Sequence, residues 1–173
     1  MMAPAALDDA LIERLRDAVS SAPTIDAAME RIGSGMPEDV EVSRVGFRMH
    51  DVENDFVVVV GVWSKQPTQL QAGVSYPIAS SLGESFTSIV RTRVCSMRVV
   101  GKDPIAPPVV QDMLIAEGSA SGVLIPVPRG IDVPGVLAIF SAKVDTFTPR
   151  HAAFYDRLGL ELSAPLLALA PLP

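Results

Sequence analysis

The sequence predicts an α+β domain with a central antiparallel sheet of five to six strands flanked by helices on both faces. Three observations predict it. Apolar side chains recur at helical spacing near both ends of the chain, in residues 5–21 and again from Phe154 to Leu166. Between them lie runs of alternating or β-branched residues separated by short turns rich in Asp, Asn and Gly, and strands joined by hairpins pair antiparallel. Two more helical stretches interrupt the strands, so helices must cover the sheet.

Each element has its own signature. In residues 5–21, Leu7, Leu11 and Leu15 share one face, and Pro23 ends the pattern. Thr24 is placed to cap a second helix, "IDAAMERIG", which Gly33 and Gly35 are expected to stop. "VEVSRVGFRMHD" alternates: Val45, Phe47 and Met49 point one way, Arg44, Gly46 and Arg48 the other. "DVEND" then forms a turn into "FVVVVGVWS", a strand by its branched side chains and short length. Residues 65–75 read as a loop. "SSLGESFTSIVRTR" is a short helix with Leu82, Phe86, Ile89 and Val90 inward, and "CSMRVV" a strand. A helix starts near Pro107 or Pro108, where a missing amide hydrogen costs little, and ends at Gly118. "SGVLIPVPRGIDVPGVLAIFSA" is a second hairpin with a longer connection around Gly130 and Pro134. The last helix opens at Thr148–Pro149. Pro165 should kink or restart it, with Ser163 as the new cap.

Composition excludes several function classes. The 173 residues carry 49% apolar and 20% charged side chains and a net charge of −6. That is enough apolar matter for a core, and the balance repels a polyanion, so no direct nucleic-acid partner is expected. The longest apolar run, residues 56–63, is far short of the ~20 residues that span a bilayer, so no membrane partner is expected either. The single cysteine, Cys95, excludes an intramolecular disulfide framework and a C-x-x-C pair, and a reducing, cytoplasmic setting follows.

Few residues carry recognisable chemistry. His50 and His151 have no second ligand cluster, and both read as solvated surface residues, so neither a metal nor a cofactor is expected. "GSASG" has Ala120 where a nucleophile elbow needs serine, and it precedes a strand rather than a helix. "GSG" at 33–35 lacks the lysine and preceding strand of a phosphate loop. Asp51, Glu53 and Asp55 lack the spacing of a calcium loop. Cys95 alternates with Met97 and Val99, as a small apolar core or pocket-wall residue does. Arg93 and Arg98 flank it and would favour its thiolate.

Taken together, three stretches resemble the GAF domain, a PAS-related small-molecule sensory module. They are "SRVGFRMHD", "SSLGESFTSIVRTR" and "GSASGVLIPVPRGIDVPGVLAIFSAKVDTFTPRHAAFYDRLGLEL". Their order and spacing carry the resemblance, which runs from about Leu11 to Leu169 and implies one domain over residues 1–173. It implies a non-enzymatic sensory domain of signal transduction or transcriptional regulation. A redox enzyme or sensor centred on Cys95, and a degenerate module that only dimerises, are the rival readings.

A roofed cavity is the expected ligand site. Its roof would supply Phe86, Val90, Val110, Met113 and Leu114. Its floor would supply Phe47, Met49, Cys95, Met97 and Ile125. Tyr76, with Ser75, Ser80 and Ser85, would mark the entry. With no full charge among these residues, the guest should be small and neutral or weakly polar. Leu7, Leu11 and Leu15, with Phe154, Leu158, Leu162 and Leu166, offer more apolar stripe than one sheet face needs, so a homodimer through the terminal helices is expected.

Overall fold

A computed structural model describes residues 7–51, 53–78, 84–104 and 106–170, and the side chains of these except for residues 84 and 85. Helices α1 (Asp9–Ser20) and α2 (Ile25–Gly35) precede strands β1 (Val42–Asp51), β2 (Phe56–Ser64) and β3 (Ser75–Pro77). Helix α3 (Glu84–Thr92), β4 (Cys95–Met97) and α4 (Pro108–Ala116) follow. The chain closes with β5 (Ser121–Arg129), β6 (Asp132–Ser141) and α5 (Ala152–Leu169). The six strands form one sheet in the order β3-β2-β1-β6-β5-β4, every neighbour antiparallel.

The caps explain where the helices start. Asp8 accepts a hydrogen bond from the Leu11 amide at 2.9 Å, so α1 begins at residue 9; residues 5 and 6 of the expected helix lie outside the described residues. Thr24 accepts from the Ala27 amide at 3.1 Å, as its position predicts. Gly33 does not stop α2, which runs on and ends at Gly35. A Cβ on Gly33 would fall 2.5 Å from the Trp63 ring and one on Gly35 2.7 Å from Leu15, so both glycines let α2 close on its neighbours. The β5–β6 turn is also tighter than expected. Arg129 pairs with Asp132 across Gly130 and Ile131, and Pro134 lies within β6. At the far end, Pro149–His151 form a 3-10 turn that feeds α5. Pro165 sits inside a continuous α5, and Ser163 caps nothing.

The sheet has two covered faces. On one, Leu11, Leu15, Met29 and Ile32 of α1 and α2, and Tyr155, Leu158, Leu162 and Leu166 of α5, pack on Val45, Phe47, Met49 and Ile125. Leu158, Leu162 and Leu166 are fully buried, each contributing about 1.5–3 kcal/mol by its removal from water, whereas Leu160 of the same helix is exposed. Most of the terminal stripe packs within one chain, and Leu7 and Phe154 of it stay partly exposed. On the other face, α3 and α4 place Phe86, Val90, Val110 and Leu114 over Val57, Met97, Leu124, Val136, Ala138 and Phe140.

Two features set the geometry of that second face. Between Phe47 and Arg48 the β1–β2 register slips by one, with Val60 as the extra residue of β2. The segment leading into α4 is pinned by the buried Gln111. Its Oε1 accepts from the amides of Gly101 and Asp103, and its Nε2 donates to the carbonyls of Asp103 and Ala106.

Candidate functional site: a roofed cavity containing two arginines

Alternation along β1 sends Arg44, Gly46 and Arg48 toward α3 and α4, and Val45, Phe47 and Met49 toward α1 and α5. Because helices cover both faces, the polar side of β1 is enclosed too. Between that side and the roof lies a cavity of about 810 Å³. Val59, Met97, Leu124, Ala138 and Phe140 line its floor; Phe86, Val110, Met113 and Leu114 line its roof; Leu70 and Tyr76 stand at one side. The walls are mainly apolar with a few polar groups, the usual make-up of a small-molecule site.

The two arginines differ in their partners. Arg44 is buried, and its Nη1 donates to Glu117 Oε2 at 3.0 Å. Its guanidinium also lies over the Phe140 ring, 5.8 Å from the centroid. Burial pulls the Arg44 pKa down, and the Glu117 carboxylate opposes that shift. The other Glu117 oxygen accepts from Thr68 Oγ1 at 2.6 Å and from the Gln69 amide at 3.1 Å. Glu117 therefore ties the end of α4 to β1 and to the loop between β2 and β3.

Arg48 has no such partner. Among the described residues it makes no hydrogen bond or ion pair, and its Nε is buried. Burial, with the nearby Arg44 cation, pushes its pKa down to about 10. Gly46 stands between the two arginines on the same face. A Cβ there would meet nothing closer than 3.9 Å, so the missing side chain adds open volume. Tyr76 is half-buried at the cavity, and burial raises its phenol pKa.

His50 continues the same face of β1. It is buried rather than solvated, and neither ring nitrogen has a partner among the described residues. Burial, with the Arg48 and Arg91 cations, depresses its pKa to about 3, so the ring is neutral near pH 7. His151 is partly exposed, with Nδ1 3.5 Å from Thr148 Oγ1. No group of three or more His, Cys, Asp or Glu residues suited to a metal ion occurs among the described residues. No helix among them is long and apolar enough to cross a membrane.

The structure brings together Tyr76, Phe86, Met97, Val110, Met113 and Leu114 of the sequence-predicted site. Phe47, Met49 and Ile125 lie on the opposite face of the sheet, buried under α1, α2 and α5. Val90 is buried beneath α3 without lining the cavity. Cys95 lines an adjoining space of about 230 Å³ with Arg93, Asp103 and Pro149, on the far side of Phe86, Met97 and Leu124, which line both. Its Sγ lies 3.6 Å from the Arg93 carbonyl, and burial raises its pKa against the opposing pull of Arg93. Ser75 is exposed; Ser80 and Leu82, and the side chain of Ser85, lie outside the described residues. The expectation of a site without full charges is corrected, because Arg44, Arg48 and Glu117 all line it. Sequence reasoning missed them by assigning the apolar side of β1 to the guest. The signal was present: a sheet roofed on both faces has no solvated side on which to leave two arginines.

No protein-family model matches the sequence, and no curated protein matches it. Solved structures do. The GAF domain of an Acinetobacter phosphoenolpyruvate-protein phosphotransferase matches with a TM-score of 0.67 at 14% identity, covering 95% of this chain and 96% of that one. Free methionine-R-sulfoxide reductase of Neisseria meningitidis, solved with its substrate, gives 0.66 at 17% identity, over 98% and 96%. The chromophore-binding domain of an unusual bacteriophytochrome from R. palustris gives 0.64 at 10% identity, over 92% of this chain and 61% of that one. The expectation that the chain is not an enzyme is corrected here. Reductases share its fold, so the fold gives no ground for excluding catalysis. A six-stranded antiparallel sheet roofed by helices on both faces, superimposable on these domains along nearly its whole length, is a GAF-like fold, and that is the fold of this chain.

Proposed function

We propose that this chain is a small-molecule-binding sensory module of signal transduction or transcriptional regulation, with its ligand in the cavity between β1, β6, β5 and the α3–α4 roof. The observation that carries the reading is the cavity itself. It is about 810 Å³, apolar in most of its wall, and supplied with arginines held in place by the sheet. The bacteriophytochrome and reductase structures, described with a chromophore and a substrate, support small-molecule binding by this fold.

The route of the signal follows from β1. One side of that strand faces the cavity; the other carries Val45, Phe47 and Met49 against α1, α2 and α5. A close-packed core passes a displacement of the strand to those helices because it has no slack to absorb it. Cys95 takes no part in this reading, since it lies outside the cavity.

Met113→Trp tests the proposal. The indole would enter the cavity from the roof. The variant should stay folded and lose the thermal stabilisation that a bound guest gives the wild type, which is about 2.7 kcal/mol at a hundredfold excess over Kd. A sharp drop in melting temperature with no guest found in a broad metabolite screen would mean that the space is already packed, and would end the proposal.

A further inference from the structure

We infer that the cavity is built for an amphiphilic monocarboxylate, a molecule with an apolar aromatic or aliphatic body and one carboxylate that docks on Arg48. This inference rests on the cavity being the ligand site. Its grounds are a charge inventory and a shape. The charged side chains among the cavity's described lining are Arg44, Arg48 and Glu117. Glu117 is already committed: its two oxygens hold Arg44, Thr68 and the Gln69 amide. One guanidinium, that of Arg48, has no counter-charge among the described residues in a largely apolar enclosure.

Arg48 is partly buried, and a cation withdrawn from water without a partner is costly, a cost that an anionic guest would offset. The planar guanidinium fork matches a carboxylate through two parallel hydrogen bonds. A dianionic phosphate would bring a second charge with no second free cation to meet it, and would bring it near the Glu117 carboxylate. An α-amino acid would add an ammonium, and Glu117, the carboxylate among the described lining residues, is in use. The rest of the wall, including Phe86, Leu124 and Phe140, asks for an apolar body.

The test uses the full chain labelled with 13C at the methionine methyls. Met97 and Met113 line the cavity, whereas Met29 and Met49 lie in the other core and serve as internal controls. Decanoate and 4-phenylbutyrate are titrated at pH 7.4, alongside their primary amides and octyl phosphate. The acids should shift Met97 and Met113, leave Met29 and Met49 in place, and bind at least tenfold more tightly than the amides or the phosphate. Arg48→Gln should weaken acid binding at least tenfold and leave amide binding unchanged, while Arg48→Lys should recover part of the loss. Melting curves show whether each variant is folded. Amides that bind as tightly as acids, octyl phosphate that binds more tightly, or an Arg48→Gln variant that binds acids like the wild type would each overturn the inference while leaving the cavity as a ligand site. If no compound moves Met97 or Met113, the site reading itself fails.

Discussion

At the scale of single residues, two side chains on β1 are held in states that water would not favour. Arg48 keeps its charge in the cavity without a partner among the described residues, and burial holds its pKa down at about 10. A base whose folded pKa is depressed costs stability while it is protonated, and that cost fades only as pH climbs through about 10 toward its ordinary value. Removing the charge should therefore help the empty protein. Arg48→Gln is expected to raise unfolding free energy by about 1–2 kcal/mol at pH 7, discounted for the guanidinium's access to the cavity, as denaturant titration will show. A loss of stability would mean that Arg48 already has a partner in solution. His50 has the same sign and a different window. Its folded pKa of about 3 lies below the ordinary 6.5, so the unfolded chain takes up a proton that the folded one refuses. Stability contributed by the neutral ring is whole above about pH 6.5 and falls as pH drops toward 3. Between pH 7 and 5 the wild type should lose stability more steeply than His50→Gln, with a difference in slope approaching 1.4 kcal/mol per pH unit at the acid end. Parallel curves for the two proteins would show that His50 is solvated after all.

At the scale of elements, glycines decide how closely helices and strands approach. Gly159 is the tightest case: a Cβ there would lie 2.4 Å from the Pro126 carbonyl oxygen and 2.7 Å from Ile125. Two effects oppose each other in Gly159→Ala. Alanine favours the helix by about 1 kcal/mol. The clash is with backbone, which cannot swing away, so α5 must lift off β5 at a cost of about 1–3 kcal/mol. The clash should win, and the variant should melt several degrees below the wild type; an unchanged or higher melting temperature would show that α5 sits less tightly on β5. Such contacts explain what could be read in advance. The helices, five of the strands, both hairpins and the Thr24 cap came from local periodicity, which records period and turn chemistry directly; the three-residue β3 (Ser75–Pro77) did not, being too short to show a period. Gly33 was misread because a glycine's role inside a helix depends on Trp63, which approaches from elsewhere in the chain. The continuous α5 through Pro165 was missed for a like reason: packing of Leu158, Leu162 and Leu166 outweighs the local penalty of the proline. Of the candidate site, the roof and Met97 were legible and the floor was not. Alternation identifies two faces of β1 without saying which helices cover each, and Glu117 meets Arg44 from 73 residues away.

At the scale of the whole molecule, one sheet separates two jobs. The α1, α2 and α5 face is a packed core whose named leucines have no exposed surface to spare. The α3 and α4 face keeps an open volume of about 810 Å³. The Arg44–Glu117 pair spans that second layer and joins β1, the β2–β3 loop and the end of α4. Roof and floor are thus linked by charge where they are not linked by packing. A guest on Arg48 would complete the electrostatics of this layer and press on the strand that also supports the terminal helices. The most direct measurement is a crystal structure of the protein grown with 4-phenylbutyrate. The account predicts the carboxylate within hydrogen-bonding distance of the Arg48 guanidinium and the phenyl ring between the α3–α4 roof and Phe140. A cavity filled by its own side chains, or the acid bound elsewhere with Arg48 turned to solvent, would contradict it.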